Sequence, residues 1–399
     1  MPTSTQQHNA SGSTGIAALA ARKIWAAFVL LFAVVTAAFV WPFAKAHLQA
    51  VAVLDLVGNQ PVPALLHELV TEPITTHDVS LNTSQGTVRA RLYSPLHHPN
   101  APALVVLHGV HHLGMDEPRL IAFASAMASC GLRVLTPELS DIKDYHVGAN
   151  SIATIGDTAT WFAQENGERP VGVMGLSFSG GLSLLAASDP QFRSSIKFVV
   201  AIGSQDAMSR VAQYYRTGQD LRPDGTEELL PPHEYGALVM EYENLQDFAP
   251  TADLIPLRAV LRAHLYEDGA AEKAALAVLM PAQLAEMKQL LDTTSVMTRD
   301  KLAAAETKHI ADMAGVSPRG HLRQLTTPVY LLHGEGDNII PAAETLWMAS
   351  ELPSETLKAS LISPVLTHID IDRHGPTAMD RWRLVHFFAL ILHAAETKA

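Results

Sequence analysis

The chain has 399 residues, of which 48% are hydrophobic and 17% are charged, a composition typical of a globular protein with a large core. Its net charge of −12 and its lack of lysine and arginine clusters argue against nucleic acid as a partner. A single cysteine, Cys130, excludes an intrachain disulfide, and its small and apolar neighbours favour a buried structural thiol over a nucleophile.

The N-terminal region has the pattern of a membrane-targeting segment. Residues 1–21 are polar and small, Arg22 and Lys23 follow them, and an uncharged apolar run extends from Ile24 to Val40. This run approaches the ~20 residues that a transmembrane helix needs, so we expect a signal anchor over 24–44. Because positive residues stay on the cytoplasmic side, residues 1–23 are predicted to be a cytoplasmic tail.

A cleaved signal peptide is the alternative interpretation of this segment, and a buried core helix is a third. The tripeptide Ala44-Lys45-Ala46 fits a small-residue cleavage site, which would release the chain after Ala46. Anchor and signal peptide both place the following residues outside the cytoplasm, either membrane-anchored in the cell envelope (periplasm) or secreted. Residues 45–74, whose apolar patches are broken by glycine and prolines, are predicted to be a connector.

From about residue 75, strand-like apolar runs alternate with helix-like segments. An antiparallel hairpin is predicted from 77–82 and 87–93, which alternate polar and apolar residues. Continuous apolar strands between helices predict a parallel sheet covered on both faces, so residues 75–204 and 328–399 are assigned to one α/β core. The further predicted strands are 103–107, 132–136, 171–175, 198–202, 329–332 and 357–363, and the predicted helices are about 117–130, 151–166, 180–188, 341–351 and 377–395.

Residues 205–327 interrupt this alternation. They carry helical periodicity in several pieces, for example over 235–246 and 257–265, and few strand signals. Because the segment falls between two core strands, we expect a helical cap above the carboxyl edge of the sheet, where ligands of open α/β sheets bind. A helical subdomain without a role at the site is the alternative.

The stretch from Val171 to Gly181 carries the strongest functional signal. A short apolar run ends at Gly175, Ser177 follows, and small residues lead into a second apolar run. This pattern predicts a sharp strand–helix turn that presents the Ser177 hydroxyl beside main-chain N–H groups, as a nucleophile requires. The usual pattern is G-x-S-x-G, and Ser179 replaces its last glycine here.

A serine nucleophile needs a base and a group that orients the base. Asp337 lies in the loop after the predicted strand 329–332 and is the candidate orienting carboxylate, with Glu335 as the alternative. The base is expected after the last strand and before the last helix. Of the two histidines there, His368 is favoured over His374, which adjoins the start of the last helix.

The stretch from Val105 to His112 ends an early strand in His108-Gly109. A sharp turn there would aim the N–H of Val110 towards the nucleophile, so Val110 and Phe178 are the candidate oxyanion donors. A metal site is not expected, because adjacent side chains such as His111 and His112 should diverge and the spacing of zinc proteases is missing.

With these motifs the chain resembles the α/β-hydrolase fold superfamily over about 75–395. The resemblance implies a mostly parallel twisted sheet with helices on both faces and a helical cap inserted after the sixth strand. It also implies Ser177 as nucleophile, His368 as general base and Asp337 as orienting acid, in the chain order Ser…Asp…His. The matching motifs are His108-Gly109, the turn from Gly175 to Gly180, the His-Gly stretch that ends at Asp337, and His368 before the last helix.

Several activities are known on this fold, so the substrate stays open. The leading hypothesis is a serine hydrolase that cleaves small-molecule carboxylic esters or thioesters through an acyl-enzyme, without a cofactor. A peptidase or amidase that uses the same triad is the first alternative. A catalytically silent relative that binds a ligand or partner is the second. Aromatic residues of the predicted cap suit an apolar acyl or aryl group, and they suit ordinary helix packing equally well.

Overall fold

The computed structural model of the chain describes residues 13–249, 253–366 and 375–397. Its strands are β1 (Ile74–Thr83), β2 (Gly86–Pro95), β3 (Ala103–Leu107), β4 (Arg133–Pro137), β5 (Val171–Leu176), β6 (Ile196–Ile202), β7 (Gln219–Leu221), β8 (Glu227–Leu229), β9 (Val329–Gly334) and β10 (Leu357–Ser363). Within the described residues, eight strands form one sheet in the order β1-β2-β4-β3-β5-β6-β9-β10. The remaining two, β7 and β8, pair in a separate ribbon.

The direction of the strands identifies the fold. β1 pairs antiparallel with β2, and β2 pairs antiparallel with β4. Every other neighbouring pair in the sheet is parallel. This order, with an antiparallel hairpin at one edge followed by parallel strands, is that of the α/β-hydrolase fold, and the predicted fold class is confirmed.

Helices surround the sheet and fill the segment between β6 and β9. The helices before that segment are α1 (Ser13–Val57), α2 (Ala64–Val70), α3 (Pro118–Ser129), α4 (Ser140–Lys143), α5 (Asn150–Glu165) and α6 (Phe178–Ser188). Between β6 and β9 lie α7 (Met208–Thr217), α8 (Glu234–Glu243), α9 (Leu245–Phe248), α10 (Leu254–Leu265), α11 (Gly269–Ala277), α12 (Pro281–Leu290), α13 (Val296–Lys308) and α14 (Ile310–Gly315). The last two helices are α15 (Ala343–Glu351) and α16 (Ala378–Glu396).

The central strands are apolar on both faces, as buried parallel strands must be. In β3, Leu104 and Val106 belong to the core that includes α1, α3 and α16. The alternate residues Val105 and Leu107 belong to the core on the opposite face, which includes α5, α6 and the helices between β6 and β9. Successive side chains of a strand point to opposite faces, so one short run supplies both cores.

The N-terminal helix differs from the sequence expectation of an anchor followed by a connector. α1 runs without a break through Pro42 to Val57. Its second half is held by tertiary packing, because Ala46, Ala50 and Val53 are fully buried in the core with α3 and α16. Packing of an apolar face stabilises a helix more than local propensity does, so the interior proline is tolerated.

Cys130 is buried beside this helix, which confirms its structural interpretation. The buried side-chain amide of Gln49 donates a hydrogen bond of 2.6 Å to the carbonyl oxygen of Cys130. Burial raises the pKa of the Cys130 thiol to about 12. The thiol is therefore protonated and unreactive at neutral pH, since only the thiolate is a good nucleophile.

Part of α1 is long and apolar enough to cross a bilayer. The apolar span covers Phe28–Val57, and none of the described side chains in its most apolar stretch is buried. Within this span Trp41 and Phe43 are each about half exposed, as is typical of interfacial aromatic residues. These features are compatible with a signal anchor or a signal peptide.

The segment between β6 and β9 is helical apart from the ribbon β7–β8. The sequence prediction missed this ribbon because its strands are short and polar, although Pro223-Asp224-Gly225 between them is a strong turn signal. The buried carboxylate of Glu344 fixes the start of the segment. It accepts hydrogen bonds of 2.8 Å from the main-chain N–H groups of Asp206 and Ala207.

Candidate active site

Ser177 occupies the turn between β5 and α6 and has an uncommon backbone conformation. Its φ is 56° and its ψ is −136°, whereas non-glycine residues seldom have positive φ. Such strain costs about 1–3 kcal/mol and persists only where surrounding contacts impose it. Here the Ser177 N–H donates to the carbonyl of Ile202 at 2.8 Å, and the Gly180 N–H donates to the carbonyl of Ser177 at 3.0 Å.

Small residues around Ser177 allow this turn. A Cβ atom on Gly175 would lie 2.4 Å from the main-chain nitrogen of Gly180. A Cβ atom on Gly180 would lie 1.9 Å from the hydroxyl oxygen of Ser204. The two glycines therefore let the strand and the helix approach closely, as the sequence pattern predicted.

Ser179, the departure from the usual motif, has a contact of its own. Its side chain is fully buried, and its hydroxyl donates a hydrogen bond of 2.5 Å to the carbonyl of His108. The next residue, Gly109, is so close that its Cβ would lie 3.1 Å from the Cβ of Ser177. Ser179 thus ties the serine turn to the loop that follows β3.

His108 is a structural residue of this loop. Its Nδ1 donates to the carbonyl of Gly109 at 2.8 Å, and its Nε2 accepts from the main-chain N–H of Leu139 at 2.9 Å. Burial lowers the pKa of His108 to about 4, so the ring is neutral at physiological pH. Both ring nitrogens are engaged in hydrogen bonds, so the ring cannot act as a metal ligand or as a base.

The two following histidines lie side by side, contrary to the expectation that they diverge. The rings of His111 and His112 stack with centroids 4.6 Å apart, and the ring of His112 stacks on Tyr266 at 4.3 Å. Burial is the main cause that lowers the pKa of both histidines. Within the described residues, no group of three His, Cys, Asp or Glu side chains could hold a metal ion.

Asp337 follows β9 and lines the same cavity as Ser177. It is 4% exposed, and its Oδ1 accepts hydrogen bonds from the N–H groups of Ile339 (3.0 Å) and Ile340 (3.1 Å). Its Oδ2 lies 3.5 Å from Nε2 of the buried His333, a neighbour that the sequence analysis did not identify. The two main-chain hydrogen bonds fix the orientation of this carboxyl group, as an orienting acid requires. The alternative, Glu335, is exposed and does not line the cavity.

The two candidate bases, His368 and His374, both lie outside the described residues. The nearest described residue before them is Leu366, which lines the cavity. The carbonyl oxygen of Leu366 is so close to β9 that a Cβ on Gly334 would lie 2.3 Å from it. The chain before the candidate bases is therefore held at the carboxyl edge of the sheet.

The candidate oxyanion donors come from two different elements. Phe178 is the first residue of α6, whose N-terminus carries a partial positive charge, and Val110 lies in the loop after β3. Both residues line the cavity that contains Ser177. Among the described residues, neither of the two N–H groups donates to a main-chain acceptor.

A residue of the segment between β6 and β9 contacts the loop after β3. The hydroxyl of Tyr235, near the start of α8, donates a hydrogen bond of 2.9 Å to the carbonyl of Val110. Two residues earlier, the N–H of His233 donates to the carbonyl of Asn338 at 2.9 Å, beside Asp337. The first turn of α8 therefore contacts both the loop after β3 and the loop after β9. No local sequence signal indicates these contacts, which join residues more than 100 positions apart.

The cavity has a volume of about 390 Å³. Much of its apolar lining comes from α1, α3 and the ends of core elements, namely Val57, Leu120, Phe123, Leu176 and Leu366. Among the described tyrosines and Phe248 of the segment between β6 and β9, Tyr235 alone lines it, and the buried Tyr214, Tyr215, Tyr242 and Phe248 pack in the core. Most of these aromatic residues therefore serve helix packing, which was one of the two interpretations left open.

No family model and no curated protein matches the chain. Solved structures resemble it at low identity. A 2-hydroxy-6-oxo-6-phenylhexa-2,4-dienoate hydrolase from Rhodococcus has 16% identity and a TM-score of 0.39, with 72% of this chain and 91% of that chain covered. A Pyrobaculum calidifontis esterase has 16% identity and a TM-score of 0.41, with coverage of 87% and 91%.

A peptidase is also among the similar structures. The acylaminoacyl peptidase of Pyrococcus horikoshii has 12% identity and a TM-score of 0.43, with 80% of this chain covered. The match spans 41% of the length of the peptidase. The strand order assigns the chain to the fold that its sequence resembles.

Proposed function

We propose that the protein is a serine hydrolase of carboxylic esters that works through an acyl-enzyme on Ser177. The observation that carries the proposal is the positive φ of Ser177 at a strand–helix turn, in a cavity shared with Asp337, Val110 and Phe178. Strained conformations of this kind persist where function requires them, and this one presents a hydroxyl at a helix N-terminus.

In the proposed reaction, the Ser177 hydroxyl oxygen attacks the acyl carbon while His368 takes the hydroxyl proton. The N–H groups of Val110 and Phe178 stabilise the oxyanion, and His368 then gives its proton to the leaving alcohol. Water attacks the acyl carbon while His368 takes its proton, and His368 then gives this proton to the Ser177 oxygen as the bond between that oxygen and the acyl carbon breaks, which releases the carboxylic acid. Asp337 orients the imidazole and stabilises its charged form.

His368 is preferred to His374 as the base because of its place in the chain. It follows Leu366, a cavity-lining residue, by two positions, whereas His374 adjoins Gly375 and the approach to α16. The variants His368→Gln and His374→Gln separate the two, since only loss of the base should lower kcat by several orders of magnitude.

We further propose that the N-terminal helix is retained as a membrane anchor, with the catalytic domain outside the cytoplasm. Residues before the cleavage-like site contact the C-terminal helix: Lys45 pairs with Glu396 at 2.7 Å, and Phe43 packs on His393 with ring centroids 4.2 Å apart. Cleavage after Ala46 would remove both contacts. The size of the mature protein in membrane and soluble fractions tests this proposal.

The test of the activity is hydrolysis of p-nitrophenyl esters, from acetate to palmitate, by the full chain and by Ser177→Ala. We expect the variant to lose about three orders of magnitude or more in kcat. A matched control is Ser188→Ala, at the other end of α6, which should leave activity unchanged. Equal activity of wild type and Ser177→Ala would overturn the proposal.

Two further readouts separate the alternatives. Amide substrates assayed in parallel test the peptidase or amidase alternative, which predicts that wild type also turns over amides and that Ser177→Ala loses this activity. A fluorophosphonate probe tests the catalytically silent alternative, because an unactivated serine does not react with it. Labelling that Ser177→Ala abolishes would exclude the silent alternative.

A further inference from the structure

The apolar stripe that docks α1 on the domain leads to the catalytic cavity. Ala46, Ala50 and Val53 follow one another at i, i+4 and i+7 and are 0–1% exposed. Val57, at i+11, continues the same face of the helix. It is the last residue of α1, it is 41% exposed, and it lines the cavity that contains Ser177.

The residues that line the cavity together with Val57 form an apolar side and a polar side. Leu120 and Phe123 of α3, together with Leu176 and Leu366, are apolar. Glu117 and Arg119 also line the cavity, beside Leu120, and their charges are paired, since Glu117 accepts from Arg119 at 2.6 Å and from the N–H of Leu120 at 2.7 Å. An apolar wall whose charged neighbours are paired with each other favours a hydrocarbon group.

We propose that this apolar side binds the hydrocarbon chain on one side of the ester bond and that Val57 forms one of its walls. The inference rests on the proposed function and names its substrate class: esters with an alkyl or aryl group of medium size. A volume of about 390 Å³ lies near the lower end of the range of about 300–1,000 Å³ typical of small-molecule sites. The N-terminal helix is thereby part of the specificity site.

The proposal predicts a dependence on chain length. Each methylene group that enters the apolar side should raise kcat/KM about fourfold, until the cavity is full. A tryptophan at position 57 would occupy part of this space. Because Val57 is half exposed and ends its helix, the substitution need not disturb the buried core.

The experiment compares full-length wild type, Val57→Trp, Val57→Ala and Leu56→Trp in lipid nanodiscs. Leu56 is the matched control, since it precedes Val57 on α1, is 37% exposed and does not line the cavity. Two substrate series are used, p-nitrophenyl esters that vary the acyl chain and alkyl acetates that vary the alcohol. The ratio of kcat/KM for octanoate or octyl ester to that for the shortest ester is measured for each variant.

We expect Val57→Trp to lower this ratio about tenfold or more in one of the two series, which identifies the side of the ester that occupies the apolar wall. Val57→Ala should shift the preferred length upwards, and Leu56→Trp should keep the wild-type ratio. If wild type is active but Val57→Trp and Leu56→Trp give the same ratios, the inference is wrong while the proposed function stands. If wild type hydrolyses no ester and Ser177 is not labelled by fluorophosphonate, the proposed function fails and the inference with it.

Discussion

The hydroxyl of Tyr235 donates a hydrogen bond of 2.9 Å to the carbonyl of Val110, so a helix from the segment between β6 and β9 holds the peptide that follows His108-Gly109. The N–H of Val110 is a candidate oxyanion donor, and its direction depends on how the loop is held. Donors aimed in advance at the developing charge are the largest single contribution to catalysis in many enzymes. Tyr235 is therefore a positioning residue for the proposed reaction.

Tyr235→Phe removes this hydrogen bond and retains the ring. A neutral hydrogen bond contributes about 0.5–1.5 kcal/mol, so we expect kcat to fall roughly 3–10-fold. KM should change little, because the oxyanion forms only in the transition state. Steady-state kinetics on one p-nitrophenyl ester provide both constants.

Tyr242→Phe is the control for that experiment, since Tyr242 belongs to the same helix, is buried in the cap and does not line the cavity. It should leave kcat unchanged. A rise in KM at constant kcat for Tyr235→Phe would indicate a substrate contact and would contradict the positioning role.

Ser179→Ala tests the link between the serine turn and the loop after β3. The Ser179 hydroxyl donates to the carbonyl of His108 in a fully buried place, and its removal leaves that carbonyl without this donor. An unsatisfied buried acceptor costs about 1–3 kcal/mol, so we expect the free energy of unfolding to fall by that amount. Chemical denaturation measures it.

Ser183→Ala is a suitable comparison, because Ser183 is also buried in α6 but its hydroxyl donates within the helix, to the carbonyl of Ser179. That carbonyl also belongs to the helix ladder, so the loss should be smaller. Equal losses for both variants would count against a special role for the bond between Ser179 and His108.

Because Glu241 is buried, we expect the stability of the protein to depend on pH. Its side chain is fully buried in α8, and both carboxylate oxygens lack a hydrogen-bond partner within the described residues. Burial raises the pKa of Glu241 to about 8, whereas in the unfolded chain its pKa lies near the ordinary value of 4.5. Between these values the folded chain binds a proton that the unfolded chain has lost, so stability decreases as pH rises from about 4.5 to about 8.

Glu241→Gln replaces the carboxyl with a neutral group of the same shape and should remove this contribution. The variant should gain stability relative to wild type as pH rises through this window, with the largest difference near and above pH 8. Denaturation at several pH values measures the difference. Glu68→Gln, an exposed change on α2, should show no such trend. A difference between Glu241→Gln and wild type that stays constant with pH would refute the expectation.

The core strands could be predicted because the sequence of a buried parallel strand is a short uninterrupted run of apolar residues. β3 and β10 have the bounds that the sequence indicated, and β9 extends two residues further, to Gly334. Ser177 could be found because its turn needs small residues at fixed positions, and steric constraints of this kind are local in sequence.

The remaining features depend on contacts between distant parts of the chain. The continuation of α1 beyond Pro42 is decided by packing on α3 and α16, which no local propensity reports. The contact of Tyr235 with Val110 spans 125 positions. Val57 reaches the cavity because α1 continues to that residue, which the local sequence does not indicate. Of the proposed triad, Ser177 and Asp337 are brought to one cavity, while His368 lies outside the described residues and stays a prediction.

The unbroken helix α1 also fixes the distance between its exposed aromatic residues and the cavity. Val57 follows Phe43 by fourteen residues in one helix, a rise of about 21 Å. In the anchored form proposed above, Trp41 and Phe43 would lie at the bilayer surface, and the continuous helix would hold Ser177 at a fixed height above the lipid. An esterase held in this way would meet its substrates within a thin layer of the aqueous compartment, and insertion or removal of whole helical turns between Phe43 and Ala46 would move that layer.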